Sequence, residues 1–302
     1  MMAQDWTLEA WRKAGKTHSY KGHDIFYVAS SNWDDNTKPV LMLIHGFPTA
    51  SYDWTRIWAG LEKRFRLIAP DMIGFGWSSK PVQHAYTMME QADLHQAFLQ
   101  KYNIERFHIL THDYGVTVTQ ELLARFEEDN HIAGAIIQSV CFLNGGLFPE
   151  THLPTFTQKM LHGPLGPFLS RLMSQKKFSK GFSEVFGEHT KPDAQELEDF
   201  WALAIANGGM PRIGHKLLGY IDERKAYRSR WVSVLQQTKV PLRVIDGAAD
   251  PVSGAHMVAR YEELVPNPDT VLLDGIGHYP QWEAPQDVLS AFMAFHDKIG
   301  TA

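Results

Sequence analysis

The 302-residue sequence holds a single cysteine, Cys141, so no disulfide can form within the chain and a reducing compartment is the expected setting. No apolar run comes near the ~20 residues that a membrane-spanning helix needs. The opening residues, Met-Met-Ala-Gln-Asp-Trp-Thr, lack the apolar block of a secretory signal. A cytoplasmic protein with no membrane span is expected. Charge of one sign does not dominate either: 29 Lys and Arg against 34 Asp and Glu leave a net charge of -5, which gives no footprint for nucleic acid. The cluster Arg224, Lys225, Arg228 and Arg230 follows Asp222-Glu223 and reads as a solvated helix face. Fifteen histidines come without H-E-x-x-H or paired Cys/His spacing, so neither a metal nor another cofactor is expected. Gly-x-Ser-x-Gly is absent, which removes the usual signature of a serine nucleophile.

What remains is a regular alternation. Hydrophobic residues at 44% suffice for one large α/β domain, or for such a core with an insertion. Strands are predicted at His23 to Ser30, Pro39 to Gly46, Arg66 to Met72, Arg106 to Thr111, Gly134 to Leu143, Val240 to Gly247 and Asp269 to Asp274. Several are continuous apolar runs, as strands buried on both faces should be. Helices are predicted between them, from Ser51 to Leu61, from a capping box at Thr87 and Glu90 to Lys101, from Tyr114 to Glu127 and from Gln286 to Lys298. Strand and helix alternating in this way imply an α/β fold with a doubly wound, mostly parallel sheet. The rhythm stops at Asn144. Until about Gln236 there are helical stretches rich in Phe, Leu and Met, with Gly163-Pro164 and Gly166-Pro167 as breakers. The expected organisation is a core of residues 1–143 and 237–302 with a helical cap at 144–236.

One junction has a distinct character. The strand from Arg106 runs into Thr111-His112-Asp113-Tyr114-Gly115, and a helix follows. A tight strand-to-helix turn holds its central side chain up at the carboxyl edge of a sheet. Asp113 is that side chain; as a bland alternative, it is a helix N-cap. Asp250 and His278 also stand just past strands. Ligands of open α/β sheets bind beyond the carboxyl ends of the strands, so all three can meet in one crevice. The order nucleophile, acid, histidine makes Asp113, Asp250 and His278 a candidate triad. Glu150 is a fallback for the acid.

The residues His45-Gly46-Phe47-Pro48, Asp71 to Ser79, Thr111 to Gly115, Gly247 to Asp250 and Gly275 to Pro280 resemble the epoxide hydrolase and haloalkane dehalogenase branch of the α/β-hydrolase superfamily. Ser51 to Trp54, Asn144 to His152 and Leu217 to Ile221 are most similar to the mesoderm-specific transcript protein-like hydrolases within it. The resemblance implies a hydrolase; the Phe, Leu and Met content of the insertion suggests a small apolar organic substrate, and a monomer or homodimer is expected.

A carboxylate nucleophile narrows the chemistry. On an ester carbonyl it would give an anhydride; on a saturated carbon it gives a stable alkyl ester. Displacement at a tetrahedral carbon is therefore expected, with Asp113 as nucleophile, His278 activating water in the second step and Asp250 supporting the imidazole. The backbone N–H groups of Phe47 and Tyr114 are the expected oxyanion donors. The resemblance implies two lid tyrosines for epoxide opening. Tyr220 matches the second, and no tyrosine lies between Tyr114 and Tyr220 to supply the first, leaving His152 or Tyr227 as substitutes. For a dehalogenase it implies Trp after the nucleophile and Asn after the His-Gly, where this chain has Tyr114 and Phe47. Trp201 is the remaining candidate halide donor, or a lid-core aromatic. Epoxide hydrolysis leads, dehalogenation follows, and a ligand-binding module with negligible turnover is the third reading.

Overall fold

The computed structural model describes residues 6–300. One eight-stranded sheet runs β1-β2-β4-β3-β5-β6-β7-β8. The strands are β1 (Lys16–Tyr20), β2 (His23–Ala29), β3 (Val40–Ile44), β4 (Arg66–Pro70), β5 (Arg106–His112), β6 (Ile136–Leu143), β7 (Leu242–Gly247) and β8 (Thr270–Leu273). Pairing is antiparallel where β2 meets β1 and β4, and parallel from β4 through β8. The fold is the doubly wound α/β class. Strand β1 was not expected, because an edge strand reading Lys-Thr-His-Ser-Tyr has no apolar alternation. It pairs because Lys21 and Gly22, both at positive φ (48° and 81°), turn the chain back in a two-residue hairpin. By contrast all five residues of β3 are buried, as its unbroken apolar run required.

Flanking helices follow the expected sites closely. The segment at Ser51 begins as a 3-10 turn, Ser51–Trp54, before the helix Thr55–Glu62. Thr87 caps the helix Met88–Lys101 by accepting from Glu90 N at 3.2 Å, but the Glu90 carboxylate turns to His84 instead of closing a box. Between β6 and β7 the described chain is helical, from Phe156–His162 to Arg228–Gln237, and contains no strand. Two full capping boxes, Thr155 with Gln158 and Asp193 with Glu196, start helices there. This excursion is fastened to the sheet's end by aromatic ring pairs, one stacked and the others tilted or edge-on. Phe182 and Phe186 each lie 5.0 Å from Tyr279, and Phe200 lies 4.8 Å from Trp282. Such pairs contribute about 0.5–1.5 kcal/mol each beyond the area they bury.

Parallel register fixes what meets at the carboxyl edge. Ile44 is level with Thr111, His112 with Leu143, Leu143 with Ile245, and Gly247 with Leu273. The residues just beyond these strands (Phe47, Asp113, Asn144, Asp250 and His278) therefore emerge side by side.

Candidate active site

Strand β5 ends in a backbone conformation that few side chains accept: Asp113 has φ 47° and ψ -108°. The turn is possible because of what surrounds it. A Cβ on Gly115 would stand 2.5 Å from the Ile44 carbonyl oxygen, and one on Gly46 would stand 2.7 Å from the Asp113 Cβ. Asp113 N donates to Asn144 O at 2.8 Å. The carboxylate does not cap the helix Tyr114–Asp129 that follows, so the N-cap reading does not describe it. Its Oδ2 accepts instead from Phe47 N at 2.9 Å. Tyr114 N is the first amide of that helix and has no intrahelical acceptor. The Phe47 loop is held by His45, whose Nε2 accepts from Met72 N at 2.9 Å.

His278 lies on the other carboxylate oxygen. Its Nε2 is 3.6 Å from Asp113 Oδ1, and its Nδ1 is 2.7 Å from Asp250 Oδ2. Asp250 also accepts from Val252 N (2.7 Å), Ser253 N (3.1 Å), Ser253 Oγ (2.8 Å) and Asn144 Nδ2 (3.0 Å). Asn144 accepts in turn from Gly247 N at 2.7 Å, so the first residue past β6 joins nucleophile, acid and β7. Sequence reasoning gave this residue no role of its own, although it opens the Asn144 to His152 stretch that carries the resemblance. The fallback acid Glu150 lies at the surface, held by Arg228 Nε at 2.9 Å and Arg260 Nη2 at 3.2 Å.

A sequence profile of the alpha/beta hydrolase fold family matches residues 39–285. The chain belongs to the α/β-hydrolase fold family. The hydrolase is 43% identical over 295 residues to the mesoderm-specific transcript homolog protein of Bos taurus, covering 95% of this chain and 87% of that one. It is similar to the solved epoxide hydrolase CorEH, with TM-score 0.76, 16% identity and coverage of 94% and 98%. It is equally similar to the haloalkane dehalogenase DbeA from Bradyrhizobium elkani USDA94, with TM-score 0.77, 19% identity and coverage of 95% and 98%. The resemblance expected from the motifs is borne out. Both structures share the hydrolase's fold, and a fold alone does not choose between their chemistries.

Charge at the site is strongly biased. Burial works against the ionised form of Asp113, yet the hydrogen bond and charge of His278, with His112 and Arg224, hold its carboxyl well below the usual carboxylate range. Burial likewise opposes charge on His278, but Asp250 and Asp113 together raise its imidazole well above the ordinary value. Both shifts favour the charged forms, a carboxylate on Asp113 and an imidazolium on His278.

The helical side differs from its sequence reading at Arg224. This residue is only 2% exposed and is no part of a solvated face. Its Nε donates to Thr117 Oγ1 at 2.7 Å, its Nη2 donates to the Asp113 carbonyl at 3.2 Å, and its Nη1 has no partner. The reason is tertiary: Tyr220–Ala226 returns over the nucleophile's helix, and the missing side chain of Gly146 admits the guanidinium, since a Cβ there would be 2.5 Å from Nη1. Arg228 and Arg230 are not free either, being paired with Glu150 and with Glu121 and Glu128.

Tyr220 is buried 6.4 Å (ring to ring) from Phe47 and 5.2 Å from Tyr114. Its hydroxyl accepts from Gln158 Nε2 at 3.3 Å, and its own proton has no acceptor among the described residues. Burial and the nearby Asp113 raise its pKa, keeping it a donor. The His152 ring lies 6.2 Å from Tyr220; both its nitrogens are buried without a partner, and burial lowers its pKa to about 3. Tyr227 is exposed against Trp231, away from this group. Trp201 packs 5.4 Å from Phe178 and does not line the cavity. The cavity is walled by Phe47, Asp113 and His278 on the sheet side and by Gln158, Lys177 and Phe182 on the helical side. No tryptophan or asparagine lines it. Among the described residues no cluster of His, Cys, Asp and Glu is arranged to hold a metal, and no helix is long and apolar enough to cross a membrane.

Proposed function

We propose that this hydrolase opens an epoxide on an apolar substrate to a diol, through an alkyl ester on Asp113, with residues 144–236 acting as a cap over the core. The observation that carries the reading is the pair of contacts on one elbow carboxylate: Phe47 N–H on Oδ2, and His278, backed by Asp250, on Oδ1. Oδ1 attacks the epoxide carbon, the carbon–oxygen bond breaks toward the oxygen, and that oxygen takes the Tyr220 proton. Esterification removes one of the two negative charges that keep His278 protonated, so the imidazole releases its proton to the phenolate on Tyr220. Neutral His278 then accepts a proton from water as the oxygen bonds to Asp113 Cγ. The oxyanion forms on Oδ2, against the Phe47 and Tyr114 N–H groups. Collapse expels the alkoxide, which takes the proton from His278, and the re-formed Asp113 acid returns its own proton to His278.

Two features favour epoxide over halide: the unpartnered Tyr220 proton, with neutral His152 near it, both set behind the cavity wall with Tyr220 reaching its lining through Phe47 and Gln158, and a wall without an indole or asparagine amide to solvate a departing halide. A panel of epoxides and alkyl halides, assayed for diol and for released halide, tests this. Diol formation that disappears in Asp113→Ala is expected; faster halide release would hand the site to dehalogenation. In a single turnover in heavy-oxygen water, label should enter the Asp113 carboxylate. Label in the first-formed diol with an unlabelled enzyme would sink the ester.

A further inference from the structure

The helices that wall the cavity have a second, outward surface. Eleven large apolar side chains are exposed among the described residues, and six of them fall between residues 153 and 172: Leu153, Phe156, Met160, Leu165, Phe168 and Leu172. Phe156, Leu165 and Phe168 are 77%, 64% and 59% exposed. Phe156 and Met160 share one side of the helix Phe156–His162; Leu165, Phe168 and Leu172 share one side of the helix Gly166–Arg171 and its flanks. The other sides are occupied. Leu161 lines the cavity, and Ser170 Oγ accepts from His215 N at 3.1 Å. The outward stripes are therefore surplus to internal packing, and exposed apolar patches of this kind mark interaction surfaces.

The charge around them identifies the partner. Residues 151–183 contain Lys159, Arg171, Lys176, Lys177 and Lys180 and not one Asp or Glu, in a chain whose net charge is -5. All five are exposed, and none forms an ion pair among the described residues. Lys177 also lines the cavity, so this surface meets its mouth. A second copy docked face to face would set five unpaired cations against five more. An anionic lipid surface satisfies both features, since aromatic and aliphatic side chains enter the acyl boundary while lysines meet the headgroups.

We propose that residues 153–180 dock this protein on an anionic lipid bilayer, with the cavity mouth turned to the lipid. The docking stands apart from the reaction: it uses the outer faces of the same helices and needs no turnover.

The test is sedimentation of the whole chain with vesicles of phosphatidylcholine, with and without phosphatidylserine. Binding should require phosphatidylserine and weaken at high salt. Each cation at such a surface contributes about five-fold in partitioning, so Lys159→Gln, Lys176→Gln and Lys180→Gln combined should weaken binding roughly 10²-fold. Phe156→Ser with Phe168→Ser should weaken it at least about ten-fold, with an unchanged circular dichroism spectrum. Asp113→Ala should bind vesicles like the wild type, which separates this inference from the proposed chemistry. No binding to any vesicle, equal binding to phosphatidylcholine alone, or full binding by the Phe variant would overturn it. So would a dimer abolished by the Phe variant in a chain that ignores vesicles.

Discussion

On the sheet side of Asp113, both oxygens of Asp250 are engaged and His278 bridges the two carboxylates, with Asn144 tying them together. On the helical side, Arg224 Nη1 and both His152 nitrogens are buried without partners, and the Tyr220 proton points to no acceptor. An unmet buried donor costs about 1–3 kcal/mol. The partnered groups of the first half are the triad's own, Asp250, His278 and Asp113, although Thr111 Oγ1, His112 Nδ1 and Asp246 Oδ2 near them are buried without partners as well; the unpartnered groups of the second half are those of the proposed leaving-group step. That division matches a two-step reaction in which water chemistry is pre-organised and leaving-group chemistry waits for substrate.

The comparison breaks first at the shared residue. Asp113→Ala should lose turnover by roughly 10⁴–10⁶-fold in an initial-rate assay, because both halves act on that carboxylate. Residual diol formation near the wild-type rate would mean that the two halves do not serve one nucleophile. His278→Gln disables only the first half: turnover should fall about 10²–10⁴-fold while mass spectrometry finds one substrate bound per chain.

Tyr220→Phe probes the second half. Epoxide opening should drop by about 10²–10⁴-fold, whereas any alkyl halide that reacts should be unaffected. His152→Leu should cost about ten-fold on epoxides, the scale of one hydrogen bond to the developing oxyanion. Equal losses on both substrate classes would show that these residues merely hold the cap together.

Arg224 sits on the seam, and its effect is expected in pH rather than in maximal rate. Its charge helps to lower the Asp113 pKa, so Arg224→Met should move the acid limb of single-turnover alkylation to higher pH. Arg224→Lys, a point charge that cannot reach both Thr117 and the Asp113 carbonyl, should restore that limb only partly. An unmoved limb would leave Arg224 as packing alone.

The smallest effect at neutral pH concerns stability. Burial lowers the pKa values of His45, His95, His108, His112, His152 and His296 to about 3 or 4. The unfolded chain therefore binds more protons than the folded one below about pH 6.5, and stability falls as pH drops from there toward 4. Each such histidine contributes about 1.4 kcal/mol per pH unit in that window. His278 runs the other way: its raised pKa adds stability that is full below its unfolded value and is lost as pH rises through the folded one. Burial raises the carboxyls of Asp53 and Asp246 well above their ordinary value, so they release protons on unfolding, and urea unfolding between pH 7 and 5 should show a net proton uptake that grows toward pH 5, where the six histidines outnumber them. A flat profile would contradict the neutral buried imidazoles on both sides of the site.

Several elements were legible because their signals are local. The elbow at Asp113 is five consecutive residues, and the strands that precede Asp250 and His278 are short apolar runs. Asn144 gave no such signal, because an asparagine after a strand looks like any loop residue until β7 is beside it. The outward stripe at 153–172 was legible only as part of a helical stretch rich in Phe, Leu and Met, with no side singled out. Its helices are seven and six residues long, under two turns each, too short for periodicity to say which side meets solvent.

Chain order and strand chemistry by themselves determined the sheet, its carboxyl edge and the three side chains that gather there, because every parallel strand delivers its following residue to one edge. Only tertiary structure decided that Arg224, in a segment that reads as a charged surface helix, lies buried against Asp113, 111 positions away along the chain. Whether a charge is solvated or buried depends on what packs over it, and no neighbour in sequence carries that information.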